Sequence, residues 1–188
     1  WQLVFVIVGL PGVPMALWLL TIREPLRRKP SATGSLVSAL RDVLRFMRGH
    51  WQVYASHFAG FSLIALVFNA GVAWLPAYLM RVHGLKPSGA GFWLGSILMI
   101  AGVAGVLVGG WLGDRWQARG QSDGAMRVGV WSAMLAIPFA ASATLVPSLP
   151  LSLALITGFI FATTLPYGAA AAALQIVTPG PMRATASA

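Results

Sequence analysis

An acid–base pair lies between two long apolar runs of this chain. Asp114 and Arg115 are adjacent, Gly110 precedes them and Arg119 follows them. The chain has only four acidic residues, all of them in charged connections of this kind. An Asp–Arg pair at a tight turn between two membrane spans is typical of proteins whose spans are held together on one side and still move. We therefore predict a transporter in which these four residues form a conformational latch; the alternative is a turn that only sets topology.

Polar side chains that could contact a substrate are few within the apolar runs. The candidates for a substrate cavity are Asn69, Thr163, Tyr167 and Gln175. Pro166 stands beside Tyr167, and because proline lacks an N–H it frees a helix carbonyl. A helix broken near the midplane is how many transporters build a binding site. The alternatives are a structural kink with a capped carbonyl and, for Asn69, a hydrogen bond between helices.

Other kinds of chemistry have little support in the sequence. No Asp, Glu, Lys or Arg lies deep in an apolar run, so no intramembrane proton or ion site is predicted here. The chain has no cysteine, which excludes thiol nucleophiles and cysteine-ligated metals. His57 has no neighbouring carboxylate in the sequence and is better explained as an interface anchor. We predict no enzymatic activity, no cofactor and no metal; a membrane-embedded enzyme would need a polar cluster elsewhere in the protein.

The elements that carry these residues are long apolar segments. Hydrophobic residues make up 57% of the chain and charged residues 9%, whereas soluble domains carry about 25% charge. A hydrocarbon core of ~30 Å needs about 20 apolar residues per helix. We therefore predict an all-α polytopic membrane protein with about five transmembrane helices. The predicted spans are residues 1–22, 54–80, 89–112, 126–146 and 151–177.

The net charge of +9 is explained by membrane orientation. Basic residues concentrate in alternate connections between the spans, as in proteins that keep their positive loops inside the cell. This pattern predicts that residues 23–53, 114–126 and 178–188 face the cytoplasm. It also argues against nucleic acid as a partner and predicts membrane lipids and a small-molecule substrate instead.

Two further patterns concern packing. Residues 35–48 have helical periodicity with apolar residues on one face and arginines on another. This segment predicts either a helix in the headgroup plane, attracted to anionic lipid, or a connector packed on the rest of the protein. The second pattern is a stripe of small residues four apart, Ala101, Gly105, Gly109 and Gly113, with Gly91 and Gly95 before it. It predicts close helix packing, which still allows sliding.

The segment around Asp114 resembles the signature of the major facilitator superfamily. That signature is a glycine, three residues, Asp, Arg, one residue, a glycine and two basic residues. Gly110, Asp114, Arg115 and Arg119 match it. Gln117 stands where a glycine is usual and Ala118 where a basic residue is usual.

Three other segments resemble the spinster-like branch of that superfamily. They are IVGLPG at residues 7–12, LMRVHGL at residues 79–85, and ALQ at residues 173–175 followed by PGPMR at residues 179–183. The resemblance covers nearly the whole chain. It implies an internal fragment of a twelve-helix transporter that covers roughly helices six to ten.

The resemblance also implies how the chain is divided and what it does. Residues 1–22 would end the N-terminal half, residues 23–53 would form the cytoplasmic central loop, and residues 54–188 would form part of the C-terminal six-helix half. The expected function is secondary active transport by alternating access, with a lipid-like or amphiphilic substrate, in a bacterial inner membrane. The remaining parts of the same polypeptide are then partners. A non-transporting scaffold or a subunit of a larger permease is the alternative.

Overall fold

The structure is a computed structural model that describes residues 3, 6, 9–21, 36–121 and 123–179, without the side chains of residues 36–39, 171, 175 and 176. All regular elements of these residues are helices, which confirms the all-α class. Helix α1 (Gly12–Leu19) lies within the predicted span 1–22. It belongs to the first of two compact units of the chain. Residues 22–35, which hold the first part of the predicted central loop, lie outside the described residues.

The second compact unit contains the remaining helices. They are α2 (Leu36–Gly49), α3 (Trp51–Val82), α4 (Pro87–Ile97), α5 (Val103–Ala118), α6 (Gly124–Ala143) and α7 (Leu149–Val177). A π-helical turn (Leu98–Gly102) joins α4 and α5 into one rod. Within the described residues, four segments are long and apolar enough to cross a membrane: Trp51–Val82, Pro87–Ala118, Gly124–Ala143 and Leu149–Leu174. They correspond to the last four predicted spans.

The predicted loop at 114–126 is wrong at both ends, because α5 continues through Ala118 and α6 begins at Gly124. Gln117 and Ala118 are better helix formers than glycine, so the helix extends over the positions where the sequence departs from the signature. It ends at Ala118, and the turn that follows is closed by backbone hydrogen bonds of the Schellman type, with Gly120 at φ +81. Asp114 therefore lies on the last turns of a helix rather than on a loop.

Helix α7 is the central element of this unit. Its apolar side chains Ile156, Ile160 and Leu165 are buried by α6 and by the α4–α5 rod. Helix α3, by contrast, buries only Tyr54 and Leu79, one near each end. Most side chains in the middle of α3 are therefore only partly buried or exposed, although Gly71 there lies close to the Phe159 ring of α7.

The glycine stripe is a packing surface between α5 and α7. A Cβ atom at Gly109 would collide with the carbonyl of Leu165, and one at Gly105 would collide with Thr164. Such contacts let two helix backbones approach more closely than larger residues allow. The earlier glycine Gly95 is different, because a Cβ there would meet nothing within 4 Å.

Hydrogen bonds fix the two ends of α3 to its neighbours. At its N-terminal end the Tyr54 hydroxyl lies 2.8 Å from the Thr178 hydroxyl, just after α7. At its C-terminal end the Tyr78 hydroxyl donates to the Ala143 carbonyl at 2.8 Å, and Ser152 donates to the same carbonyl at 3.1 Å. These bonds require α3 and α7 to run antiparallel. The order of the predicted spans requires the same, because successive spans cross the membrane in opposite directions.

Candidate functional site

A cavity of about 420 Å³ lies between α3, the π-helical turn, α5 and α7. We call it the tyrosine cavity. Its wall consists of Phe68, Leu98, Gly102, Val103, Val106, Leu107, Thr164 and Tyr167. Two of these residues carry hydroxyl groups and none is charged, so the wall suits an apolar molecule with a small polar group.

Tyr167 is the most accessible polar group of this wall. Its residue is 37% exposed, and its ring makes edge contacts with Phe61 and Phe68, with centroid distances of 5.2 and 5.8 Å. In the part of the chain that the structure describes, its hydroxyl has no hydrogen-bond partner. Phe61 and Phe68 are two helical turns apart on α3, so this aromatic face was visible in the sequence as an i, i+7 spacing.

The two threonines before Pro166 have different surroundings. Thr163 is 1% exposed, and its hydroxyl donates to the Phe159 carbonyl at 2.8 Å within α7. Thr164 also bonds within α7, to the Ile160 carbonyl, but it forms part of the tyrosine cavity wall. The sequence analysis predicts Thr163 as the cavity residue, whereas the structure places Thr164 in the cavity wall.

Pro166 does not break α7, which is continuous through it. The carbonyl that proline leaves without an N–H donor is that of Ala162, four residues earlier. The Ser132 hydroxyl of α6 donates to this carbonyl at 2.7 Å, and both residues are 0% exposed. The structure thus shows the capped carbonyl. The alternative of a broken helix is wrong, because α7 is continuous and a neighbouring helix supplies the missing donor.

The other two predicted cavity residues are not brought to this wall by the described contacts. The Asn69 amide donates to the Ala65 carbonyl of its own helix at 2.7 Å, and the residue is exposed. The hydrogen bond predicted between helices is therefore replaced by one within α3. Gln175 lies in α7, and its side chain is outside the described part of the structure.

A second cavity, of about 400 Å³, lies between α3, α6 and α7. Its wall includes Ser56, His57, Phe61, Pro166 and Ala170, and it contains no carboxylate. The His57 ring stacks on Phe61 with centroids 6.3 Å apart. The residues that the structure describes include no group of three or more His, Cys, Asp and Glu side chains that could hold a metal ion.

The predicted latch lies at the C-terminal end of α5. Asp114 and Arg115 are exposed, and Arg119 is the residue that caps the helix. The Arg115 guanidinium lies 5.1 Å from the centre of the Trp111 ring, a cation–π contact. Over residues 36–121 and 123–179, Asp114 has no ion pair or hydrogen bond from its side chain.

Two other features surround the latch. Gly110 faces Gly168 of α7, where a Cβ would lie 3.7 Å from the Gly168 carbonyl oxygen. At the start of α6, Asp123 and Arg127 form an exposed ion pair of 2.9 Å. Within residues 36–121 and 123–179, the acidic residue with an ion pair is thus Asp123, which the sequence did not single out.

Taken together, the apolar rods, the small-residue interface and the cavity beside a proline-containing helix define a polytopic helical membrane protein. The family model of the Major Facilitator Superfamily matches residues 1–188, and the chain belongs to this family. Its resemblance to the spinster-like branch is confirmed by a solved structure, a bacterial homologue of the human lysosomal transporter Spinster in an inward-facing and unoccupied conformation. The TM-score is 0.70 and the sequence identity 32%, over 99% of this chain. The match covers 39% of that protein's chain. No curated protein matches this chain.

Proposed function

We propose that the protein is a secondary active transporter that works by alternating access, and that this chain supplies part of its C-terminal half. The similarity to the bacterial Spinster homologue, over 99% of this chain, carries the proposal. Transport in such folds comes from the rocking of two halves about a central site. We place the protein in a bacterial inner membrane, with the remaining polypeptide and lipids as partners, and we propose no enzymatic role.

The tyrosine cavity supports a lipid-like or amphiphilic substrate. Its lining is apolar and aromatic except for the hydroxyls of Thr164 and Tyr167. Ligand sites of this kind bury apolar surface and use a few polar groups to fix orientation. We propose that an acyl or ring system lies against Leu98 and Val106, while the Tyr167 hydroxyl bonds the polar group.

The position of Asp114 supports its role in the latch. A carboxylate near the C-terminus of a helix is disfavoured by the negative end of the helix dipole, so α5 itself does not stabilise it. Its neighbour Arg115 lies against Trp111 instead. We propose that Asp114 finds its partner in another part of the protein in one conformation and loses it in the other, which biases the equilibrium between them.

The latch is tested with Asp114→Asn in the full-length protein in liposomes. We expect normal insertion and transport slowed by about 5- to 150-fold, the range of typical coupling energies. The matched control is Asp123→Asn, which removes an exposed carboxylate paired with Arg127 and should change transport little, because exposed ion pairs are worth about 0–1 kcal/mol. Unchanged kinetics of the Asp114 variant would reject the latch.

The cavity is tested with Tyr167→Phe and a fluorescent lysolipid as the transported probe. Loss of one hydrogen bond of about 1 kcal/mol should raise KM roughly fivefold at equal abundance. Thr163→Val is the control, since its hydroxyl bonds only within α7. Equal KM values for both variants would remove Tyr167 from the site. If the full-length protein moves no amphiphile under any gradient, the scaffold or permease-subunit alternative replaces the transporter.

A further inference from the structure

The surface of α2 is divided into three strips along its length. Val43 is buried, and the Phe46 ring contacts Tyr54 of α3 edge to face, at 6.5 Å between centroids. This strip fixes α2 to the beginning of α3. Leu40 and Leu44 are exposed, although they belong to the apolar face that the periodicity predicts. The helix is therefore a packed connector on one side only.

The third strip is basic. Arg41, Arg45 and Arg48 are four and three residues apart, so at about 100° per residue they fall within a sector of roughly 60°. All three are exposed, and none of them forms an ion pair or hydrogen bond within the described residues. Leu40 and Leu44 adjoin this sector, and the five side chains line a groove of about 480 Å³. The groove thus combines guanidinium groups with an apolar strip.

The location of this groove matches a membrane surface. Helix α2 ends at Gly49, and the candidate span begins two residues later at Trp51, which is 62% exposed. Tryptophan is enriched at the boundary between hydrocarbon and head groups. A helix fixed to the first turns of such a span lies at the depth of the lipid phosphates.

We propose that the basic groove of α2 is a binding site for the head group of an anionic phospholipid. Arginine presents a planar fork of N–H donors that matches the oxygens of a phosphate. Arg41, Arg45 and Arg48 hold the phosphate, while Leu40 and Leu44 contact the first part of the acyl chains. A free phosphate would use the arginines but not the leucines, so the apolar strip beside them favours lipid as the occupant. This site is separate from the tyrosine cavity and does not depend on transport.

The experiment measures lipid bound to the purified full-length protein by native mass spectrometry. Phosphatidylglycerol is compared with phosphatidylcholine of the same chain length. We expect preferential retention of phosphatidylglycerol. Binding should be weaker by on the order of 100-fold in R41Q/R45Q/R48Q, since each basic residue near an anionic membrane surface strengthens binding roughly fivefold. The variant R41K/R45K/R48K keeps the charge and should retain part of the binding, which also covers the case in which the glutamine variant fails to fold.

A control with the same change in net charge distinguishes lipid binding at the α2 groove from general electrostatic attraction between the protein and an anionic lipid. R81Q/K86Q/R127Q removes three exposed positive charges from the end of α3, the connection after it and the start of α6, and should bind phosphatidylglycerol like the unmodified protein. Equal loss of binding in this control, or undiminished binding in the α2 glutamine variant, would overturn the proposal.

Competition identifies the source of the phosphate. Glycerol 3-phosphate at millimolar concentration should displace little phosphatidylglycerol, whereas L40Q/L44Q should weaken the lipid binding severalfold. Full displacement by glycerol 3-phosphate together with unchanged binding in L40Q/L44Q would show a site for soluble phosphate, and the lipid assignment would be wrong.

Discussion

Replacing Ser132 with alanine should destabilise the helical bundle because it leaves a buried carbonyl without a donor. Pro166 has no N–H, so the Ala162 carbonyl depends on the Ser132 hydroxyl, 2.7 Å away on α6. Ser132 and Ala162 are fully buried, so water cannot replace the lost bond. The loss of stability in the Ser132 variant should therefore depend on the presence of Pro166, although the two residues lie on different helices.

The magnitude follows from two limits. A buried acceptor left without a partner costs about 1–3 kcal/mol, whereas hydrogen bonds between membrane helices average about 0.6 kcal/mol and reach about 1.7. Because this carbonyl has no backbone donor to return to, we expect the upper part of the membrane range, about 1–2 kcal/mol. In a Pro166→Ala background the alanine N–H can satisfy the carbonyl, so the same Ser132 substitution should cost less than about 0.5 kcal/mol.

A double-mutant cycle in the full-length protein measures this coupling, with the free energy of unfolding followed in mixed micelles. Ser142→Ala is the control on the same helix. Its hydroxyl donates to the Pro138 carbonyl at 2.5 Å, but that carbonyl keeps its helical N–H donor, so the change should stay within about 0.5 kcal/mol. If Ser132→Ala costs the same with and without Pro166, the explanation is wrong.

Two further predictions concern packing and the end of α3. Gly109→Ala should separate α5 from α7 and cost more than about 2 kcal/mol, because its Cβ collides with the backbone of Leu165, whereas Gly95→Ala should be neutral or slightly stabilising. Thermal unfolding in detergent checks both, and equal effects would contradict the packing argument. Tyr78→Phe should cost about 1 kcal/mol, since the Ala143 carbonyl keeps a second donor, and a loss above 3 kcal/mol in the same assay would refute this.

The sequence and the structure disagree where local signals are weak or ambiguous. The charge at Asp114 predicts a loop, yet the helix continues to Ala118 because nothing before Gly120 interrupts it. The π-helical turn at Leu98–Gly102, which forms part of the tyrosine cavity, has no evident signal in the sequence. Such a turn depends on how its helix packs against neighbours, and side-chain periodicity does not report this.

Hydropathy is a property of each segment alone, so the sequence by itself determined the helical class, the four described spans and their order. The glycine spacing likewise determined that one face of α5 would approach another helix closely. Only the tertiary structure decided that this helix is α7, that Ser132 caps the carbonyl freed by Pro166, and that Thr164 rather than Thr163 lines the cavity. Each of these depends on the rotation of one helix against another, which is set by contacts between residues distant in the chain.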